Sequence, residues 1–190
     1  MLISTEDNLD NAWSNVVHEL HRGVFDKKHP FRFVTLATIA DGQPSMRYVV
    51  LRAIDEPLDF VVYSDARTLK VSSISANQNV SLLFYHPKKR AQIRVAGIAT
   101  LHQQDDFAKS HWQNVQGEGK RAYTSIESPG GEIADPEVAH EWQNDFDDKY
   151  FTVITIQPKS IEALQLNNTK HLRALFNWNG SEWSKQWIVP

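Results

Sequence analysis

The chain has 190 residues, 41% hydrophobic and 23% charged, with a formal net charge of −3 and no cysteine. These figures fit one globular domain with a sizeable core and exclude a disordered chain. They also exclude disulfides, thiolate metal sites, iron–sulfur clusters and thiol nucleophiles, and they argue against a general binder of nucleic acid or anionic membrane. The opening MLISTEDNLD lacks the basic region and apolar run of a signal peptide, and no apolar segment approaches the ~20 residues that cross a bilayer. A single cytoplasmic domain spanning 1–190 is the expectation.

Ser4, with Asp7 three residues on, reads as a helix start. Leu9, Ala12, Trp13, Val16, Val17, Leu20 and Val24 then recur at helical spacing, predicting an amphipathic helix over 5–24. His18 and His21 lie one turn apart on it but lack a third ligand nearby, so they read as solvated residues and no metal is assigned. FRFVTLATIA (31–40) is β-branched and aromatic, and Asp41-Gly42 signals a hairpin turn. The return strand, 45–54, alternates so that Arg47 and Arg52 leave opposite faces unless a bulge intervenes. LDFVVYS, 79–86 and 91–101 are further strands, and 87–90 is a basic turn. Helical texture follows over 103–122, then a loop at 125–133, then a helix opened by Asp135-Pro136 and lasting to about 149. FTVITIQP and SIEALQL are two strands, and a C-terminal hairpin turns at Asn179-Gly180. Its Trp178, Trp183 and Trp187 read as packing residues. Short strands, tight turns and one small helix predict a mainly β barrel with peripheral helices: core 30–102, helical insert 103–149, C-terminal strands 151–190.

The chemistry concentrates in YSDARTLK (63–70), where a strand ends at Ser64 and a helix begins near Thr68. The first N–H groups of a helix lack internal partners and attract anions. Arg67 and Lys70 add charge, Ser64 and Thr68 add hydroxyls, and Arg47 can reach the same anion from the neighbouring strand. The alternative is that Asp65 or Thr68 merely caps the helix and the cations are solvated. Gln92 and Arg94 share a face of the fifth strand, and a glutamine there needs a partner, either a ligand or a backbone group. The paired Asp147-Asp148 and the dispersed His102, His111, His140 and His171 read as surface residues, although His171 lies close to Lys170 and Arg173.

RYVVLR, FVVYSDARTLK, NVSLLFY and AQIRVAG together resemble, in order and spacing, the FMN-binding split-barrel family typified by pyridoxamine 5′-phosphate oxidase. The resemblance covers roughly residues 30–102, with echoes at 123–131 and in the C-terminal hairpin. It implies a split β-barrel of the FMN-binding type, a homodimer with FMN at the subunit interface, and flavin-dependent oxidation of a small molecule. It also implies cofactor contacts from Arg47, Tyr48, Val49, Val50, Leu51, Arg52, Tyr63, Ser64, Lys70, Gln92, Ser128 and Arg173.

Arg67 and Thr68 join that set from the reading of the turn: Leu69 stands where the family has arginine, and Arg67 is the nearest substitute for its charge. Arg52, Lys170 and His171 face the expected substrate pocket. There the family pattern departs, because its tyrosine, arginine and serine fall near Ser110, Asn114 and Glu118. Glu127 replaces a glutamine, and a tryptophan expected near Leu164 is missing. The alternative is a non-catalytic barrel that stores or senses flavin, or holds haem.

Overall fold

The structure, a computed structural model, describes residues 1–142 and 146–190. Its frame is one antiparallel sheet of β1 (Phe33–Ala40), β2 (Gln43–Asp55), β3 (Asp59–Asp65), β4 (Asn79–His86), β5 (Ala91–Gln103), β6 (Phe151–Gln165), β7 (Leu172–Trp178) and β8 (Trp183–Ile188). The strands lie in the order β3-β2-β1-β4-β5-β6-β7-β8. The first part of β6 also pairs with β3, residues 151–156 against 60–65, which closes β1 to β6 into a barrel. Farther along, β6 takes β7 instead, with Ser160 opposite Asn177 and Gln165 opposite Leu172. The ribbon β7–β8 therefore continues outside the closed part.

Alternation sets the two faces of the sheet. Val34 and Leu36 on β1, Leu82 and Phe84 on β4, and Ile93 and Val95 on β5 fill the interior with Phe31, Leu51, Phe60 and Phe176. The Asp41-Gly42 turn has positive φ at both residues (51° and 74°), the conformation of a tight two-residue hairpin.

Two bulges break the alternation. Between β2 and β3, Leu51 opposes Val62 while Ala53 opposes Val61, so Arg52 is the extra residue. Between β5 and β6, Ala96 opposes Ser160 while Gly97 opposes Pro158, which leaves Lys159 over. A Cβ on Gly97 would lie 2.5 Å from the Gln157 carbonyl oxygen, so this close approach requires glycine. The bulge also carries Pro158 inside β6: the stretch read as two strands is one.

The helices depart more from expectation. α1 is Leu9–Phe25, and its N-cap is Asn8, whose side chain accepts from the Asn11 N–H; Ser4 and Asp7 form a turn before it. α2 is Leu69–Ala76 and α3 is Asp106–Asn114. The helical texture expected over 103–122 breaks after Asn114 and resumes as a 3-10 helix, Gly117–Tyr123, because Gly117 takes positive φ (49°). The helix expected from 136 to about 149 is a 3-10 helix, Pro136–His140, followed by extended backbone at Glu141; residues 143–145 of that expectation lie outside the described residues. Asp147 and Asp148 are accordingly not on a helix. No helix among the described residues is long and apolar enough to cross a membrane.

The tryptophans pack as the sequence indicates. Trp13 of α1 meets Phe176 and Trp183 with ring centroids 4.9 Å away in each case, and Trp183 meets Trp178 at 5.5 Å. Trp187 is the exception, with 41% of its surface exposed.

Candidate functional site

The end of β3 and the start of α2 bring four of the expected residues together. Lys70 Nζ donates to Ser64 Oγ (3.1 Å), and Ser64 Oγ lies 3.0 Å from Thr68 Oγ1. The Thr68 hydroxyl donates to the Asp65 carbonyl (2.7 Å) and therefore caps no N–H of α2. Arg47 projects from the core-facing side of β2, in step with Val49 and Leu51. Its Nη1 donates to Thr38 Oγ1 (2.8 Å) and the Leu36 carbonyl (3.3 Å), and its Nη2 donates to Ser45 Oγ (2.7 Å).

Burial first, and the charge of Arg47 second, push the Lys70 ammonium below the ordinary lysine range. Burial likewise lowers Arg47. Among the described residues neither cation has a carboxylate in an ion pair. Two half-buried cations with hydroxyls around them are a donor set of the kind that suits an anion.

Arg67 lies two residues before α2, yet its guanidinium is spent on protein acceptors. It grips the buried Asp65 carboxylate through Nε (3.0 Å) and Nη2 (2.7 Å), and it donates to the Ser125 and Ile126 carbonyls. Its charge therefore sits on Asp65. Sequence reasoning named Asp65 as a possible cap of the helix; its burial against the Arg67 guanidinium is visible only in the structure.

Arg52 leaves the barrel on the face that alternation gives it, opposite Arg47 and Leu51, and the bulge turns Ala53 to that same face; the Arg52 guanidinium stands 5.2 Å from the centre of the Tyr63 ring. The Tyr63 hydroxyl lies 2.9 Å from His111 Nδ1 of α3, and Tyr123 closes the group from the 3-10 helix. Burial raises both tyrosines and lowers His111, so at neutral pH the three are uncharged around one cation whose Nε is buried without a partner. His111, read from sequence as a surface residue, joins the group because α3 turns it toward β3. Ser110 and Asn114 on the same helix are exposed, and Glu118 pairs with Arg121 at 2.8 Å.

Gln92 and Arg173 occupy one row on the outside of the sheet, linked through Leu164. Glu162 holds Arg173 Nη2 at 2.8 Å and Arg94 Nη2 at 2.5 Å. Gln92 and Arg173 thus face away from the side on which Arg47 projects. Tyr48 and Val50 are also outward, whereas Val49 and Leu51 are buried in the core and can meet a ligand only through their backbone. Ser128 lies on the exposed 125–131 loop, and Lys170 and His171 on the exposed β6–β7 turn, where no hydrogen bond joins them to Arg52.

A second polar group escaped the sequence reading because its members are far apart in the chain. Buried Glu19 of α1 accepts from His29 Nε2 (2.8 Å) and Lys89 Nζ (2.5 Å), with His86 Nε2 at 3.5 Å and Arg22 at 3.6 Å. The spacing of Glu19, His29 and His86 would suit a metal ion. However, the Phe31 and Lys89 N–H groups donate to Nδ1 of His29 and His86, so each neutral imidazole carries its proton on Nε2 and directs it at Glu19. The group ties α1 to the barrel.

The barrel closed by β1 to β6, with the β7–β8 ribbon outside it, is a split β-barrel. Residues 10–103 match the family model described as pyridoxamine 5′-phosphate oxidase, FMN-binding domain. Over those residues the chain resembles that family, whose model is of an FMN-binding domain. It is 32% identical over 94 residues to a pyridoxine/pyridoxamine 5′-phosphate oxidase of Haemophilus ducreyi, a match covering 48% of this chain and 44% of that protein. A Rubrobacter xylanophilus protein of the same description is 27% identical over 180 residues, covering 90% of this chain and 81% of that one. Among solved structures, a pyridoxamine 5′-phosphate oxidase-related, FMN-binding protein of Nostoc punctiforme aligns with a TM-score of 0.78 and 25% identity, over 93% of this chain and 96% of that one.

Proposed function

We propose that the protein binds FMN and is an FMN-dependent oxidoreductase acting on a small anionic molecule, pyridoxamine or pyridoxine 5′-phosphate being the first candidates. The observation that carries this reading is the Arg47–Lys70 pair: two half-buried cations with Ser64 and Thr68 beside them and no carboxylate of their own. A phosphate monoester supplies the missing negative charge and several acceptors. The donor set fits the group.

Bound flavin would supply hydride acceptance, while the protein contributes binding, orientation and electrostatics. Arg47, Lys70, Ser64 and Thr68 are assigned to the phosphate. Gln92 and Arg173 are assigned to the ring, and Arg52, beside Tyr63 and His111, to the anionic group of the substrate.

The working form in this proposal is a homodimer. Its support is the sidedness of the sheet: Arg47 projects with the core-facing residues of β2, and Gln92 and Arg173 project outward from β5 and β7. One ligand meets both sets most simply when they come from two copies. The outward side of β1, β2 and β4 also exposes Phe33, Met46, Tyr48, Leu83 and Tyr85, an apolar face suited to a partner.

The test is titration of the purified protein with FMN, followed by an aerobic turnover screen with pyridoxamine phosphate, pyridoxine phosphate and NAD(P)H. Binding with the flavin band near ~450 nm is the expected result. A protein that takes up no FMN, or one that takes up haem in preference, overturns the reading.

A further inference from the structure

Arg67 is placed to do something other than hold an anion. Its side chain is 17% exposed and stacks at 3.9 Å over the Tyr150 ring. Its Nε and Nη2 bind the Asp65 carboxylate, which also accepts from the Arg67 backbone N–H (2.8 Å). From the same plane Nη2 donates to the Ser125 carbonyl (2.9 Å) and Oγ (3.1 Å), and Nη1 to the Ile126 carbonyl (3.1 Å). These are the hydrogen bonds that join residues 125–133 to the barrel among the described residues. The loop's remaining bonds run within itself, as Ser125 Oγ to the Glu127 carbonyl and the Gly131 N–H to the Ser128 carbonyl, or to Glu141. The loop curls around a hollow of about 260 Å³ that includes Ser128, Gly130 and Gly131.

We propose that Arg67 is a positioning residue. It carries no phosphate but fixes the 125–131 loop against the α2 turn, so that the loop forms one wall of the cofactor site. This rests on the flavin reading for the identity of the cofactor, but not for the link itself. A guanidinium suits the task because its planar fork donates in two directions at once, toward Asp65 and toward the loop carbonyls. An ammonium satisfies the carboxylate and leaves the loop unheld.

The test is Arg67→Lys, which preserves the charge on Asp65, compared with the wild-type protein in two measurements. Cleavage of the ligand-free protein by a glutamate-specific protease, with sites at Glu127 and Glu132, is expected to speed up several-fold in the variant. The affinities for FMN and for riboflavin, read by flavin fluorescence, are expected to fall by the same factor, about tenfold, the equivalent of one lost charge-assisted hydrogen bond. Unchanged cleavage overturns the proposal. So does a loss confined to FMN, which would make Arg67 a phosphate ligand, and so does faster cleavage with both flavin affinities intact. A wild-type protein that binds neither flavin overturns the flavin reading instead, and the cleavage result then decides the role of Arg67 by itself.

Discussion

Lys70 carries an energetic cost in the cofactor-free protein, because burial and Arg47 both disfavour its charge. Replacing it with alanine is therefore expected to leave the cofactor-free protein as stable as wild type or more so in urea, while weakening FMN by roughly 1.5–3 kcal/mol, the range for a hydrogen bond to a charged group. The pH dependence follows from the same shift. A bound phosphate favours the protonated lysine, so FMN affinity is expected to decline as pH rises through the lowered Lys70 pKa. Titrations between pH 7 and 10 should show that decline in wild type and a shallower one in Lys70→Ala. The grouping of Ser64, Thr68 and Lys70 was legible because a strand end, a turn and a helix start set it locally. The face of Arg52 was legible from alternation, which sets it opposite Arg47, whereas that of Ala53 was not, since the inserted residue turns it to the side of Arg52. The partner of Arg67 was not legible: Asp65 is visible two residues earlier, but its burial is not.

Two predictions belong to the elements. Gly97→Ala presses a methyl onto the Gln157 carbonyl where β5 crosses the β6 bulge, so a loss of about 1–3 kcal/mol is expected in urea unfolding. The attachment of α1 depends on Glu19, and Glu19→Ala strands His29, His86 and Lys89, with an expected loss of about 3–5 kcal/mol. Glu19→Gln, which retains an acceptor, should lose less. Acid should mimic the alanine variant. Burial holds His86 below its ordinary value, so the unfolded chain takes up that proton first and stability falls as pH drops below ~6.5. Burial alone would raise Glu19, but its bonds to Lys89 and His29 prevail and hold it low, which adds a second loss below ~4.3. Melting curves from pH 7.5 to 3 check both. The first five strands could be read from the sequence to within two residues, because alternation and turn signals are local, although β6 reads as two strands where it is one. Residues 103–149 could not be read in this way: helical texture there includes Gly117, and Pro136 opens only a short 3-10 helix before the chain extends at Glu141.

At the scale of the whole molecule, the proposed dimer makes Tyr48 a sensitive position, with 76% of its surface exposed in the single chain. Tyr48→Glu should yield a folded protein that sediments as a monomer and no longer retains FMN, with circular dichroism unchanged. A wild-type protein that sediments as a monomer removes the dimer proposal at once. The barrel as a class was legible in its run of short strands, but its closure was not. The seam between β3 and β6 joins segments separated by the whole helical insert, and nothing in either strand names the other. That seam also governs how the chain must be made. While the ribosome is still adding the insert, β3 and β5 already exist as a curled sheet with two raw borders, and the strand that seals them has not left the exit tunnel. Open strand edges of this kind invite wrong pairing, and contacts between remote segments are slow to form. Synthesis of this protein should accordingly lean on chaperones until residue 165 has emerged, and nascent chains stalled short of Phe151 should aggregate where longer ones do not.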